Sequence, residues 1–199
     1  MAQIASVVGR SFTAQLIQGV AGTSAQAVAG ALHDLAAAGI ISSHTSPDGL
    51  RYQFRHALIQ DAAYESLLKR DRAALHLKVA RLLEQHFPEH VAGDPELLGY
   101  HLANAGEPQA AAGCFERAGS KAARAAALEE ATAHYRRGIE LLRDAGPSRE
   151  CSRLEMWLQI LLGNALMGLV GYGADSLRPV WVRAIELAQQ VGDLSLIHI

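Results

Sequence analysis

The glycine-rich segments of this chain bear on whether it could bind a nucleotide by itself. A phosphate-binding loop has the form G-x-x-x-x-G-K-[ST], and its backbone amides and lysine cradle the phosphates. This spacing is absent from the sequence, and in the nearest string, GSKA at 119–122, the lysine follows the serine inside a helical pattern. The string GYGADS at 171–176 lacks the third glycine and the preceding strand of a dinucleotide loop. We therefore expect that the chain alone neither binds nor hydrolyses ATP.

Histidine spacing offers one candidate metal site. His86 and His90 have a spacing that some metal sites use, and His76 lies one helical stretch earlier. However, Pro88 breaks the helix that would align the pair, and the sequence near them offers no carboxylate–cysteine set.

Serine, histidine and aspartate all occur, but the sequence has no nucleophile elbow. The sequence therefore predicts no metal ligand, no cofactor bound by this chain alone and no catalytic residue.

The composition indicates a helical globular protein. Of the 199 residues, 50% are hydrophobic, only 6% are aromatic and 19% are charged. Alanine and leucine, both strong helix formers, supply most of the apolar content. A net charge of −2 gives no general attraction to nucleic acid or to a membrane surface. Cys114 and Cys151 stand outside any CxxC pair, which favours reduced thiols and a cytoplasmic location.

Residues 1–90 follow the order of elements in a winged helix. Two short helices, the second ended by Gly22, precede a third helix. Thr23 and Gln26 have the spacing of a capping box and predict the start of that third helix, and Gly39 predicts its end. Its apolar positions recur at helical spacing: Ala27, Ala31, Leu32 and Leu35.

A β-hairpin and further helices are predicted next. The runs IISSHT at 40–45 and LRYQFRH at 50–56 are separated by the turn signal SPDG at 46–49. In the second run Tyr52 and Phe54 fall on one face. Two helical stripes follow, with a break near Asp71 and a stop at Pro88: Leu58, Ala62, Leu67 and Leu68, then Leu75, Val79, Leu82, Leu83 and Phe87.

The sequence of residues 94–193 predicts a series of helices, and the segment EHVAGD at 89–94 before them is predicted to be a linker. Asp94 and Pro95 form an N-cap followed by proline at the first helical position. A long helix is expected from Arg149 to about Leu169, and a last one carries Trp181, Ala184, Ile185 and Ala188.

The small and large residues of these helices have the spacing of a tetratricopeptide repeat. The matching positions are Leu98, Gly99, Ala111, Phe115 and Ala118, with echoes at Ala131, Tyr135, Leu162 and Gly163. The interval from Ala111 to Ala131 is far shorter than one repeat, so generic helical packing is the alternative.

Four stretches together resemble a known bacterial arrangement. They are ASVVGRSF at 5–12, YQFRHALIQDAAYESLL at 52–68, RAALHLKVARLLEQHFPEH at 72–90 and PELLGYHLANAG at 95–106. The resemblance covers residues 2–193 and is to the region just downstream of the nucleotide-binding domain in large STAND-type ATPases. It is strongest to those fused to a class III adenylate or guanylate cyclase domain or to a transcription-factor domain.

The resemblance implies a mainly α fold, with a winged-helix-like module at 1–90 and tetratricopeptide-like helical hairpins at 94–193. It implies a fragment with a non-catalytic, regulatory role in a larger signalling protein that binds ATP and ADP. The implied partners are the upstream nucleotide-binding domain of the same polypeptide and a protein or peptide on the helical repeats.

His56 is the one residue to which the resemblance assigns a contact with the nucleotide. It stands where related STAND proteins carry the histidine of the MHD motif, whose imidazole donates to the β-phosphate of the nucleotide and holds the inactive state. This sequence has Arg55-His56-Ala57, so the methionine and aspartate of that motif are missing. The alternative is a histidine that opens the helix and bonds the local backbone.

A DNA-binding transcriptional regulator is the alternative function, because many winged helices bind DNA. A recognition helix presents arginine, lysine, asparagine or glutamine to bases and phosphates. The candidate helix at 24–38 contains no arginine or lysine. The basic residues cluster later and are mixed with Asp71 and Glu84, as on a solvated face or an interdomain contact: Lys69, Arg70, Arg72, Lys78 and Arg81. Nucleic acid is therefore not an expected partner.

The last six residues, LSLIHI at 194–199, look unlike the helices before them. They resemble the translation of a transposase sequencing adaptor read in frame. We expect them to be a non-native tail.

Overall fold

The computed structural model describes residues 1–46 and 49–192, which form eleven helices and three strands. The chain is mainly α-helical with one small antiparallel sheet, which confirms the predicted fold class. It divides into two compact units, Met1–Pro88 and a second that begins at Glu89. Within the described ranges, no helix is both long enough and apolar enough to cross a lipid bilayer.

The first unit opens with three helices, which are α1 (Ala2–Val8), α2 (Ala14–Ala21) and α3 (Ala25–Ala37). The N-cap of α3 is Ser24, whose Oγ accepts from the backbone N–H of Ala27 at 3.3 Å. The predicted cap at Thr23 is therefore wrong by one residue. The buried positions of α3 are Val28 and Leu32, so Leu32 of the predicted apolar spacing is in the core while Ala27 is exposed.

Three strands form the sheet: β1 (Ser11–Phe12), β2 (Ile41–Ser46) and β3 (Gly49–Phe54). The strand order is β1-β3-β2 and both pairs are antiparallel, with Phe12 opposite Tyr52 and Ile41 opposite Phe54. The hairpin was predicted, but β1 is too short for a sequence pattern to reveal. The ring of Phe12 lies 6.1 Å from that of Tyr52 and 5.9 Å from that of Phe54, and this cluster joins β1 to the hairpin. The predicted turn residues Pro47 and Asp48 lie outside the described residues.

Two helices complete the first unit, which are α4 (Ala57–Glu65) and α5 (Lys69–His86). The break between them precedes the predicted break, because Asp71 already lies in the first turn of α5. Val79 and Leu83 are buried, which confirms the predicted stripe of α5. The predicted stripe of α4 is wrong, since none of its nine residues is buried.

In the described part of the second unit every element is a helix, and the first of them begins one residue earlier, at Pro88: α6 (Pro88–Gly93), α7 (Pro95–Ala105), α8 (Pro108–Arg124), α9 (Leu128–Asp144), α10 (Arg149–Val170) and α11 (Arg178–Val191). The segment predicted as a linker forms α6 instead, because Pro88 is compatible with a first helical turn. The predicted cap of α7 is confirmed, since Asp94 Oδ1 accepts from the N–H of Leu97 at 3.2 Å and Pro95 follows. The tail predicted at 194–199 lies outside the described residues.

Each helix from α7 to α11 packs on the next, which gives four helix–helix interfaces that we call seams. At each seam a glycine of one helix faces a side chain of the following helix. The pairs are Gly99 with Cys114 and Phe115, Gly119 with Tyr135, Gly138 with Leu158, and Gly163 with Trp181. Helix α8 supplies Phe115 to the first seam and Gly119 to the second. The small–large pattern therefore recurs at successive seams, which accounts for the short interval between its occurrences in the sequence.

Candidate functional site

His56 stands between the sheet and α4, in the position predicted for it. Its backbone is extended (φ −133°, ψ 136°) and its carbonyl accepts from the N–H of Ile59 at 3.1 Å, as expected of an N-cap residue. The imidazole makes no side-chain cap hydrogen bond, and His56 is exposed. The alternative in which this ring bonds the local backbone as a cap is therefore wrong.

The outer face of α4 is exposed and partly apolar. Leu58 has 80% of its surface exposed, and Ala62 and Glu65 follow on the same face at helical spacing. Asp61, which lies between them, is also exposed. A helix in a folded unit ordinarily buries its apolar stripe, so a helix with no buried residue leaves that stripe available to another surface. We call Leu58, Asp61, Ala62 and Glu65 the α4 face.

The opposite side of α4 is anchored to the first unit, where α4 packs on α1. Gln60 Nε2 donates to the carbonyl of Ser6 at 3.3 Å. Tyr64 Oη lies 3.1 Å from Nε2 of the fully buried His76, and the guanidinium of Arg72 lies 4.9 Å from the centre of the Tyr64 ring. Burial lowers the pKa of His76 to about 4, so this ring is neutral at physiological pH. These contacts fix α4 while its outer face stays exposed.

The histidines weighed as metal ligands do not form one group. His86 and His90 are exposed, at the end of α5 and within α6. His76 is buried against Tyr64. A different group, Glu96, Glu130 and His134, places its ligand atoms within 4.8 Å of one another, and the sequence analysis missed it. Glu130 and His134 are four residues apart on one helix, and this spacing could have identified the pair from the sequence.

The helix in the recognition position of a winged helix presents few polar groups. Half of the exposed residues of α3 are alanines, and the others are Gln26, Gly30, His33 and Asp34. Because α3 carries no lysine or arginine, it offers nothing to neutralise a phosphate backbone.

A groove of about 240 Å³ runs across α9, α10 and α11 in the second unit. Arg136, Glu140, Arg143 and Arg183 line it together with the buried Ile139 and Leu162. The groove therefore combines charged side chains of both signs with buried apolar residues.

A buried carboxylate organises the wall of this groove. The side chain of Glu155 is only 6% exposed and receives a two-pronged contact from Arg183, with both N–O distances 3.1 Å. Arg143 Nε donates to the same carboxylate at 3.0 Å, so Glu155 of α10 ties α9 to α11. Burial by itself would raise the pKa of Glu155, but the hydrogen bonds and charges of Arg183 and Arg143 outweigh burial and lower the pKa.

Comparison with known proteins gives one match over nearly the whole chain. No family model matches the sequence, and no solved structure matches it. The chain is 26% identical over 191 residues, which is 96% of its length, to an uncharacterised protein of Rhizobium meliloti (strain 1021). The aligned segment covers 19% of that protein, so the chain spans about a fifth of the length of the relative it matches.

Proposed function

We propose that this chain is a non-catalytic regulatory region of a larger, cytoplasmic, ATP-dependent signalling protein. The first unit packs on an upstream nucleotide-binding domain of the same polypeptide and responds to whether that domain holds ADP or ATP. The second unit binds a protein or peptide partner. The length of the R. meliloti protein, of which this chain spans about a fifth, supports a place within a longer polypeptide.

The exposed α4 face is the observation that carries the proposal. Burying a leucine side chain is worth about 1.5–3 kcal/mol, and Leu58 is 80% exposed in a helix that is otherwise well anchored. Asp61 and Glu65 flank the apolar positions, so the docking partner would present apolar groups with cationic groups beside them. This face lies within the stretch YQFRHALIQDAAYESLL at 52–68, which is part of the resemblance to STAND ATPases.

His56 stands beside this face with its imidazole exposed and not used as a cap. An imidazole can donate to a phosphate oxygen without a permanent charge, which suits a contact that must form and break with the nucleotide state. In the proposed function, His56 contacts the β-phosphate of ADP bound in the upstream domain. That contact favours the inactive arrangement, so nucleotide exchange shifts the population toward the active one.

The composition of α3 favours this proposal over the DNA-binding alternative. Half of its exposed residues are alanines, and Gln26 is the only one of its side chains with the amide that reads adenine. A helix of this kind packs on protein more readily than on a polyanion.

The proposal is tested by two substitutions in the parent protein. His56→Leu removes a charge-assisted hydrogen bond worth about 1.5–3 kcal/mol, so ADP affinity should fall by roughly 10- to 100-fold and basal output should rise. Leu58→Asp places a charge on the docking face and should raise basal output as well. ADP dissociation and output activity are measured for both variants.

Leu50→Asp is the matched control, because Leu50 is a half-exposed leucine of β3 that lies outside the α4 face. It should leave both ADP affinity and basal output unchanged. Unchanged ADP release and unchanged output in both His56→Leu and Leu58→Asp would contradict the proposal.

A further inference from the structure

Three side chains with metal-binding chemistry meet across two helices of the second unit. Glu96 lies in the first turn of α7 and Glu130 in the first turn of α9. His134 follows Glu130 by four residues, which places both side chains on one face of α9.

The distances from the imidazole nitrogen to the two carboxylates are close to those between ligands of one metal ion. His134 Nε2 lies 3.4 Å from Glu96 Oε2 and 3.7 Å from Glu130 Oε1, and all three atoms lie within 4.8 Å of one another. Ligands bound to zinc at about 2.0–2.2 Å in tetrahedral geometry stand roughly 3.3–3.6 Å apart. Closing the shell requires the two carboxylate oxygens, which lie within 4.8 Å of each other, to approach by up to about 1.2 Å, a distance that exposed glutamate side chains can cover by rotation.

Both contacts of His134 Nε2 have the lengths of ion pairs rather than of close hydrogen bonds. Both contacts of Nε2 are longer than the 2.7–3.2 Å of a usual N–H···O hydrogen bond. One imidazole nitrogen carries a single proton or a single lone pair and so bonds one oxygen well, yet two carboxylates face it. A dication placed among the three atoms would bind both carboxylates and the lone pair of Nε2.

The imidazole is held in place, whereas the carboxylates remain open to water. The side chain of His134 is 15% exposed, and its ring stacks on Phe115 of α8 with centroids 6.2 Å apart and an angle of 26° between the planes. Glu96 and Glu130 are about half exposed. A fixed imidazole reduces the entropy lost on binding, and the exposed side leaves room for water as a further ligand.

We propose that Glu96, Glu130 and His134 form a binding site for a divalent transition-metal ion, with Zn²⁺ as the ion that fits best. One imidazole and two carboxylates are ligands that Zn²⁺ accepts, and the imidazole favours Zn²⁺ over Mg²⁺ and Ca²⁺, which prefer oxygen ligands alone. The bound ion would link α7 to α9 and so stiffen the helical array.

The test is titration of the full 199-residue chain with Zn²⁺. Calorimetry measures the binding, and thermal unfolding measures the change in Tm. One site should bind Zn²⁺, and at a free Zn²⁺ concentration about 100 times its Kd the Tm should rise by roughly 5–10 °C. Glu96→Gln, Glu130→Gln and His134→Gln should each weaken binding by at least about tenfold, because even outer partners of metal sites contribute that much. The two glutamate variants leave the ring packing on Phe115 intact and therefore remain informative if His134→Gln unfolds.

Two matched controls separate this site from adventitious binding. Glu129→Gln changes the neighbouring acidic residue of α9, and His86→Gln changes an exposed histidine outside the group. Both should retain the wild-type affinity. Wild-type affinity in Glu96→Gln and Glu130→Gln, or an absence of stabilisation by Zn²⁺ in the unaltered chain, would overturn the proposal.

Discussion

Replacing Gly119 with alanine is expected to lower the free energy of unfolding by about 1–2 kcal/mol. A Cβ at this position would lie 2.4 Å from Cε1 and 2.7 Å from Cδ1 of Tyr135, much closer than carbon atoms approach in folded proteins. Tyr135 is only 2% exposed, so its ring has no free space into which it could move. Overpacking of this kind costs about 1–3 kcal/mol, and the better helix propensity of alanine returns only about 0.5–1 kcal/mol.

Gly113→Ala is the matched control for this prediction. Gly113 lies on the same helix, and a Cβ there would meet nothing within 4 Å. Only the helix propensity acts, so this variant should be more stable than the unaltered chain by about 0.5–1 kcal/mol. Urea unfolding followed by circular dichroism measures both. If the two alanines shift the unfolding midpoint in the same direction, the close seam between α8 and α9 does not exist as described.

Glu155→Gln is expected to lower the free energy of unfolding by about 2 kcal/mol near pH 7. The substitution removes a carboxylate that is 6% exposed and leaves two guanidinium groups without it. A hydrogen bond to a charged group contributes about 1.5–3 kcal/mol. Arg143 is half exposed and Arg183 about one-third exposed, so water compensates part of the loss and the estimate stays in the lower half of that range.

The effect of Glu155 should depend on pH in one direction. The Arg183 and Arg143 contacts lower the pKa of Glu155 in the folded chain below its usual value of 4.5. A carboxyl group with a lowered folded-state pKa binds more protons when unfolded, so its contribution is complete above the usual pKa and declines as the pH falls below it. The difference in stability between the unaltered chain and Glu155→Gln should therefore shrink below about pH 4.5.

Glu140→Gln is the matched control for Glu155→Gln, because Glu140 pairs with Arg137 on the exposed surface of α9 at 3.2 Å. An exposed pair of this spacing contributes about 0.3–0.5 kcal/mol, so this variant should be close to the unaltered chain in stability. Equal effects of the two substitutions, or a Glu155 effect that does not change with pH, would contradict the role assigned to the buried carboxylate.

The cap of α7 and the extent of the long helix α10 were predictable because their signals are local. Asp94 and Pro95 determine the start of α7 through one side-chain hydrogen bond and one fixed φ angle, and both are visible in the sequence. Helix α10 runs to Val170, one residue beyond the predicted Leu169. By contrast, β1 was missed because two residues carry no periodicity, and their pairing with β3 depends on contacts across some forty residues of chain.

The sites were harder to predict because they depend on how helices rotate against one another. Leu58 and Ala62 have the spacing of one helix face, which predicted a stripe packed in the core, but the sequence does not say whether the surface that covers such a stripe belongs to the same folded unit. Glu155 has the residue type of a solvated helix face, and only the approach of α9 and α11 makes it a buried ion pair. Glu96 meets His134 for the same reason.

Hydroxyl-radical labelling of the Leu58 side chain tests directly whether the α4 face docks on the nucleotide-binding domain. Labelling is compared in the isolated chain, in the parent protein with ADP and in the parent protein with ATP, and Tyr172, which is 87% exposed in the second unit, serves as the internal reference. If the α4 face docks on the nucleotide-binding domain in the inactive state, Leu58 should be labelled readily in the isolated chain, strongly protected with ADP and less protected with ATP. Equal labelling of Leu58 relative to Tyr172 in all three samples would contradict a regulatory role for this face.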